Sequence, residues 1–347
     1  MLINLRKTNS PPATGNAIAD ALGRPLRDIR ISLTDHCNLR CTYCMPKEAF
    51  GPDHAFLPNN RLLSFAEIAT LAGALANLGL RKVKLTGGEP LTRPGLAKLV
   101  SLLTATLPTV EINLITNGIL LAPLAASLRA AGLHRVTISL DSLDPEKFAA
   151  ISGRPGQLPK VLAGIAAAEA AGFSPVKINM VVIRGVNDDQ VIPMADHFRR
   201  PGTILRFIEY MDVGTLNGWQ RKAVVPSAEI LARLRTRAEL YPVDPAYRGE
   251  TASRYRYADG SGEIGFISSV TQPFCGDCSR LRLSADGKLF TCLFSHHGLD
   301  IRPALASGGD ELGRTLADLW RRRDDQYSAK RATAPGRDKI EMFYIGG

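Results

Sequence analysis

No stretch of this 347-residue sequence is apolar over a membrane-spanning length, which leaves no candidate for a helical anchor. Residues 1–25 lack both an apolar core and a basic cluster, so no secretory or transit leader is expected and the reading is cytoplasmic. Aromatic residues are few, at 6%, with only two tryptophans, and no recognisable nucleic-acid-binding motif is present. Neither nucleic acid nor a membrane is therefore expected as a partner, although the net charge of +10 calls for something anionic. A polyphosphate-bearing small molecule meets that charge. Cysteine is scarce too, at six residues, and in a reducing compartment such residues point to metal or redox chemistry rather than disulfides.

None of the six cysteines stands alone. They fall into two triplets, Cys37-x3-Cys41-x2-Cys44 and Cys275-x2-Cys278-x13-Cys292. The first spacing bends one loop so that three sulfurs meet three irons of a four-iron cubane, leaving the fourth iron open to a small molecule. A structural zinc site is the alternative at each triplet, and at the second His296 or His297 could complete a Cys3His set. Just after Cys278, Arg280 and Arg282 alternate along a strand and share one face. Two guanidiniums side by side repel unless an anion lies between them, and their fork suits phosphate or a purine edge.

The chain also carries a repeating rhythm. Strand-like runs are expected at 28–34, 82–86, 110–116, 135–140, 176–182 and 204–209, rich in β-branched residues as in strands buried on both faces. Helical spacing fills the intervals 65–78, 96–107, 122–131 and 162–171, and Gly79, Gly132 and Gly172 stand where helix caps are wanted. Six βα units predict an α/β fold, a partial (β/α)6 TIM-like barrel over 26–212. Residues 1–25 read as a flexible or wrapping arm, and 213–347 as a smaller C-terminal α+β region holding the second triplet, with a hairpin turn at Asp286-Gly287.

Through Cys37-x3-Cys41-x-Tyr43-Cys44 and the Gly87-Gly88-Glu89-Pro90 turn, the sequence resembles the radical S-adenosylmethionine (SAM) superfamily. The resemblance implies that SAM chelates the open iron and that one electron cleaves it to methionine and a 5′-deoxyadenosyl radical. It implies Tyr43, Gly88, Ser139 and Met211 as SAM contacts, and an electron donor that the sequence does not name. The glycines would let backbone approach the methionine moiety closely.

From residue 26 onward the sequence is similar, more narrowly, to the family that cyclises GTP at the first step of molybdenum cofactor biosynthesis. The matching stretches run from Arg30 to Cys44, Leu85 to Leu91, Thr137 to Asp144, Val176 to Asn179 and Leu205 to Glu209. The second triplet with Arg280-Leu281-Arg282 and the closing Tyr344-Ile345-Gly346-Gly347 complete them. This resemblance implies two four-iron clusters, the second binding guanine, and GTP ligands Arg30, Lys84, Thr116, Lys177, Arg280, Leu281 and Arg282. It further implies that the closing glycines enter the site. Two positions depart from the family pattern. Lys84 stands where arginine is usual, and Ile115 replaces the first residue of a Thr-Thr pair, so Thr116 alone could supply a hydroxyl. A peptide-modifying radical SAM protein and a zinc-stabilised nucleic-acid binder are the competing readings, and a homodimer is among the assemblies left open.

Overall fold

Strand and helix alternate because β-branched runs are punctuated by alanine- and leucine-rich segments with explicit start signals. Ser64 and Glu67 cap each other's backbone (3.2 and 2.7 Å) to begin the helix Phe65–Ala76. Asp144 does the same work ahead of Pro145, accepting from Glu146 N and Lys147 N. Gly79, Gly132 and Gly172 all have positive φ, as expected of caps.

The computed structural model describes residues 17–333 and 339–347. Its strands are β1 (Asp28–Ser32), β2 (Lys82–Thr86), β3 (Glu111–Thr116), β4 (Arg135–Ser139), β5 (Val176–Val182), β6 (Thr203–Glu209), β7 (Leu240–Val243), β8 (Ser253–Tyr257), β9 (Glu263–Ile267), β10 (Arg280–Leu283), β11 (Lys288–Phe290) and β12 (Leu299–Asp300). They make one sheet in the order β12-β11-β10-β1-β2-β3-β4-β5-β6-β9-β8-β7.

The six expected strands are all parallel neighbours, and the sheet is the partial barrel of the sequence reading. The C-terminal strands do not form a sheet of their own. β10 adds parallel to β1 at one edge and β9 parallel to β6 at the other, so the barrel wall gains a strand on each side. The β10–β11 hairpin turns at Asp286-Gly287 as expected. A helix over Gly309–Arg321 buries Leu312, Leu316, Ala317 and Trp320.

The strands differ from the expectation of two apolar faces. Outward residues such as Ile29, Val83, Leu114, Ile138 and Ile178 are fully buried under the helices, each contributing about 1.5–3 kcal/mol. The alternating inward residues are polar: Arg30, Lys84, Asn113, Thr137, Lys177 and Arg206 line a cavity. Residues 1–16 of the expected arm lie outside the described residues. Residues 17–25 pack firmly: Ala19 bridges Pro25, Ile18 joins the core and Arg24 is fully buried.

Candidate active site

A parallel barrel presents its strand C-termini at one end, and the first cysteine triplet follows β1 there. The loop is shaped from within. Cys44 N and Met45 N both donate to Cys41 O (3.0 and 2.8 Å), and the Arg40 guanidinium donates to Cys37 O, Leu39 O and Phe50 O at 2.8 Å each. Leu39 N donates to Cys37 Sγ at 3.4 Å. Burial pushes the Cys37 thiol up to about 11, and burial together with the neighbouring cysteines raises Cys41 and Cys44 further. The thiolate is the ligand form, so a cluster bound here would release these protons.

Gly88 lies behind this loop. Its N–H donates to Thr34 O (2.6 Å), Glu89 N donates to His36 O (2.8 Å), and a Cβ on Gly88 would fall 2.4 Å from His36 O. The glycine thus lets the turn after β2 press against the residues that lead into Cys37, and Gly88 does not line the cavity. Glu89 is buried and accepts from Thr116 Oγ1 (2.7 Å), Asn117 N (2.7 Å) and Leu91 N (3.0 Å). Burial nonetheless pushes its carboxyl up to about 7. Thr116 therefore spends its hydroxyl on Glu89 and faces away from the cavity, where Ile115 stands instead. The hydroxyl that Ile115 lacks is not supplied by Thr116.

Tyr43, Ser139 and Met211 line the cavity at this end, with Asp141 among them. Tyr43 OH donates to Asp141 Oδ2 (2.7 Å), and burial lifts the Asp141 carboxyl to about 6. The cavity measures about 1170 Å3 and continues to Arg27, Arg81, Thr109 and Pro175, so it runs the length of the barrel. Cys275, Cys278 and Cys292 line it too. Because β10 runs parallel to β1 and Cys278 precedes it, the second triplet sits at the N-terminal ends of the strands, opposite the first. Among the described residues no group of three His, Cys, Asp or Glu is placed to hold a single metal ion. Thiolates that each bind a different iron of a cluster stand wider than the ligands of one zinc ion.

Between the two triplets lies a field of cations. The parallel register sets Arg282, Arg30 and Lys84 side by side on β10, β1 and β2. Arg280 reaches back to Cys278 Sγ (3.1 and 3.3 Å). Burial alone would raise that thiol, but Arg280 and Arg323 overcome it and bring it down to about 6. Burial, then Arg280 and Arg206, lowers Arg30 to about 10, and Arg30 Nε has no partner. Burial also lowers Lys84 and Arg282 well below their usual values and Lys177 to about 7. Such desolvated, mutually repelling cations favour an anion between them.

Of the expected GTP ligands, then, Arg30, Lys84, Lys177, Arg280 and Arg282 converge on the cavity. Thr116 does not, and neither does Leu281, whose side chain points into the core by strand alternation. Arg206 was not singled out from sequence. It lines the cavity, donates to Asn179 Oδ1 (2.9 Å), and is lowered to about 10 by burial. An arginine amid the apolar residues of Leu205–Ile208 was the available signal.

The closing residues enter the same space. Phe343 packs edge-on against Phe50 (5.0 Å), Ile345 is fully buried, and Tyr344 OH donates to Asp286 (2.7 Å). Arg282 Nη1 donates to Gly346 O, Thr86 Oγ1 donates to Gly347 O (3.4 Å), and Gly347 lines the cavity. Gly346 has φ +73, and a Cβ there would lie 2.7 Å from Thr86 Cγ2.

An open parallel barrel with a cysteine triplet at its C-terminal end is the architecture of the radical SAM enzymes. Residues 31–198 match the Radical SAM superfamily model, and residues 203–329 match Molybdenum Cofactor Synthesis C. SuiB of Streptococcus suis, crystallised with S-adenosylmethionine, shares the fold, with a TM-score of 0.59 at 14% identity over 89% of this chain and 69% of that one. The GTP 3′,8-cyclase of Xanthomonas axonopodis pv. citri is 52% identical over 329 residues, 94% of this chain and 98% of that protein. That of Acidothermus cellulolyticus is 50% identical over 359 residues, 95% and 99% respectively. The chain belongs to the GTP 3′,8-cyclase family, and as a radical SAM enzyme it works with SAM and an iron–sulfur cluster.

Proposed function

We propose that this enzyme converts GTP to (8S)-3′,8-cyclo-7,8-dihydroguanosine 5′-triphosphate, opening molybdenum cofactor biosynthesis, in the cavity between its two cysteine triplets. The observation that carries this reading is the in-register row Arg282–Arg30–Lys84, flanked by Arg280, Lys177 and Arg206, where the buried acid Asp28 offsets only part of the positive charge. A triphosphate supplies the missing charge, and arginine forks bind it bidentately.

Cys37, Cys41 and Cys44 would hold a four-iron cluster, and that cluster with SAM would supply radical chemistry, given an electron from an external donor. Tyr43, Ser139 and Met211 are the side chains placed to hold SAM, with Asp141 fixing the Tyr43 hydroxyl. Cys275, Cys278 and Cys292 would hold a second four-iron cluster at the far end, where the guanine of GTP faces it. Arg30, Lys84, Lys177, Arg206, Arg280 and Arg282 orient the nucleotide between the two ends. Gly346 and Gly347, held by Arg282 and Thr86, narrow the cavity and keep water from a reactive intermediate. On this reading residues 26–212 carry the radical chemistry and 213–347 supply the second cluster, part of the substrate site and the tail.

Anaerobic turnover with SAM, dithionite and GTP tests the function. Formation of 5′-deoxyadenosine that depends on GTP, with the cyclic product, is the expected result. Formation indifferent to GTP would point to another substrate.

A further inference from the structure

Beneath the second triplet lies an ion network outside the cavity chemistry above. Asp20 Oδ2 is 2.6 Å from Arg24 Nε and 3.1 Å from Arg323 Nη1, and all three side chains are at most 1% exposed. A second carboxylate, Asp325 Oδ2, lies 3.5 Å from Arg323 Nε, and the two guanidiniums still have donors to spare because each carries five N–H groups. The spare donors reach backbone at Cys275, at Cys278 and at the residue before Cys292. Arg24 Nη1 donates to Cys275 O (2.8 Å), Arg323 Nη1 to Cys278 O (2.6 Å), and Arg323 Nε to Thr291 O (3.0 Å), the residue before Cys292. Arg24 is itself held: its Nη1 also donates to Asp325 O (2.7 Å), and Trp320 Nε1 donates to Arg24 O (3.1 Å). The Trp320 ring lies 4.7 Å from the Arg323 guanidinium carbon.

A buried charge network is a weak source of stability, since well-packed apolar side chains often serve as well or better. Its value here is positional. Cys275, Cys278 and Cys292 come from two separate loops, with β10 and β11 between them. The β10–β11 hairpin brings Cys292 to the same end as Cys278, and the cross-ties add a second constraint on the three segments from outside the sheet. One donor, Arg24 Nη2, is buried and has no protein partner. An anionic cluster sulfur beside Cys275 would give it one.

We propose that Asp20, Arg24 and Arg323 form a clamp that spaces the three cysteine-bearing segments for an iron–sulfur cluster and supplies it with an outer hydrogen-bond donor. They are positioning residues, acting through the cysteines, and the segment at 17–25 is thereby part of the second cluster site. The inference rests on the two-cluster reading above.

The test uses the full chain carrying Cys37→Ala, Cys41→Ala and Cys44→Ala, so that only the second triplet can bind iron. After anaerobic reconstitution, iron and sulfide content, the reduced-state EPR spectrum, the reduction potential and the rate of iron loss to a chelator are compared with and without Asp20→Asn, Arg24→Lys or Arg323→Lys. Thermal melting confirms folding of each variant, and Asp20→Asn, which keeps the side-chain shape, decides the matter if an arginine variant does not fold. Retention against chelator should fall about 10–100-fold, the usual effect of removing an outer partner of a metal ligand. The EPR signal should move in all three variants, and the potential should become more negative in Arg24→Lys and Arg323→Lys, where an outer donor is lost. Folded variants with the starting protein's spectrum, potential and iron-loss rate would overturn the clamp alone. No iron in the starting triple variant would overturn the two-cluster reading and the clamp with it.

Discussion

Arg30 on β1 stands in register with Arg282 on the adjacent parallel strand β10, and among the described residues neither has an ion-pair partner. Burial, then Arg280 and Arg206, lowers Arg30, and burial, then Arg30 and Arg280, lowers Arg282, a cost that a bound triphosphate would offset. Arg30→Met should therefore act in opposite directions on two measurements. GTP affinity should weaken by about 1–3 kcal/mol, the cost of a charge-assisted contact, while the unliganded protein melts no lower, and higher if the repulsion outweighs lost packing. Calorimetric titration and thermal melting read the two effects. Unchanged affinity would remove Arg30 from the substrate site.

Lys177 carries a pH signature. Its pKa in the free enzyme is lowered to about 7, by burial first and then by Arg206 and Arg135. A bound phosphate favours the ammonium form and lifts it toward the usual lysine value of about 10.4. Between those values the free site holds an amine and the occupied site an ammonium, so GTP binding takes up a proton and affinity falls as pH rises through that window. Titrations near pH 8 in two buffers of different ionisation enthalpy measure the uptake. Lys177→Met should abolish it, and its absence from the parent would exclude a phosphate contact.

A side chain at Gly346 would strain the tail backbone and press on the Thr86 methyl group. Gly346→Val should leave iron content and SAM binding unchanged and suppress formation of the cyclic product, because φ +73 and the 2.7 Å approach to Thr86 both oppose a Cβ. Removing Gly346 and Gly347 should do the same. Product analysis by mass spectrometry decides, and full yield from either variant would make the tail dispensable.

The two triplets should separate by function. Replacing Cys37, Cys41 or Cys44 should abolish SAM cleavage and halve the iron, whereas replacing Cys275, Cys278 or Cys292 should halve the iron but leave SAM cleavage possible while GTP turnover fails. Stoichiometric zinc without sulfide in anaerobically purified protein would refute both assignments.

What the sequence determined by itself is local. β-branched runs specified six strands to within a residue or two, because strand propensity and burial on the helix-facing side reinforce one another there. Cysteine spacing within one loop, Cys37 to Cys44, likewise fixes sulfur geometry through short-range backbone turns. The shared face of Arg280 and Arg282 followed from strand alternation, whereas the core position of Leu281, which the resemblance places among the ligands, is seen in the structure. Only tertiary structure decided which polar residues meet. Arg30, Lys84, Lys177, Arg206 and Arg282 are scattered over more than two hundred residues, and it is the register of parallel strands that gathers them. The Thr116 hydroxyl meets Glu89, twenty-seven residues away, and Thr116 is not among the residues that line the cavity. β9 and β10 read as parts of a separate region, since a short strand's sequence does not say which sheet edge offers it hydrogen bonds. Residues 17–25 read as an arm for the same reason: the partners of Asp20 and Arg24, at Cys275 and Arg323, are brought within reach only by the fold.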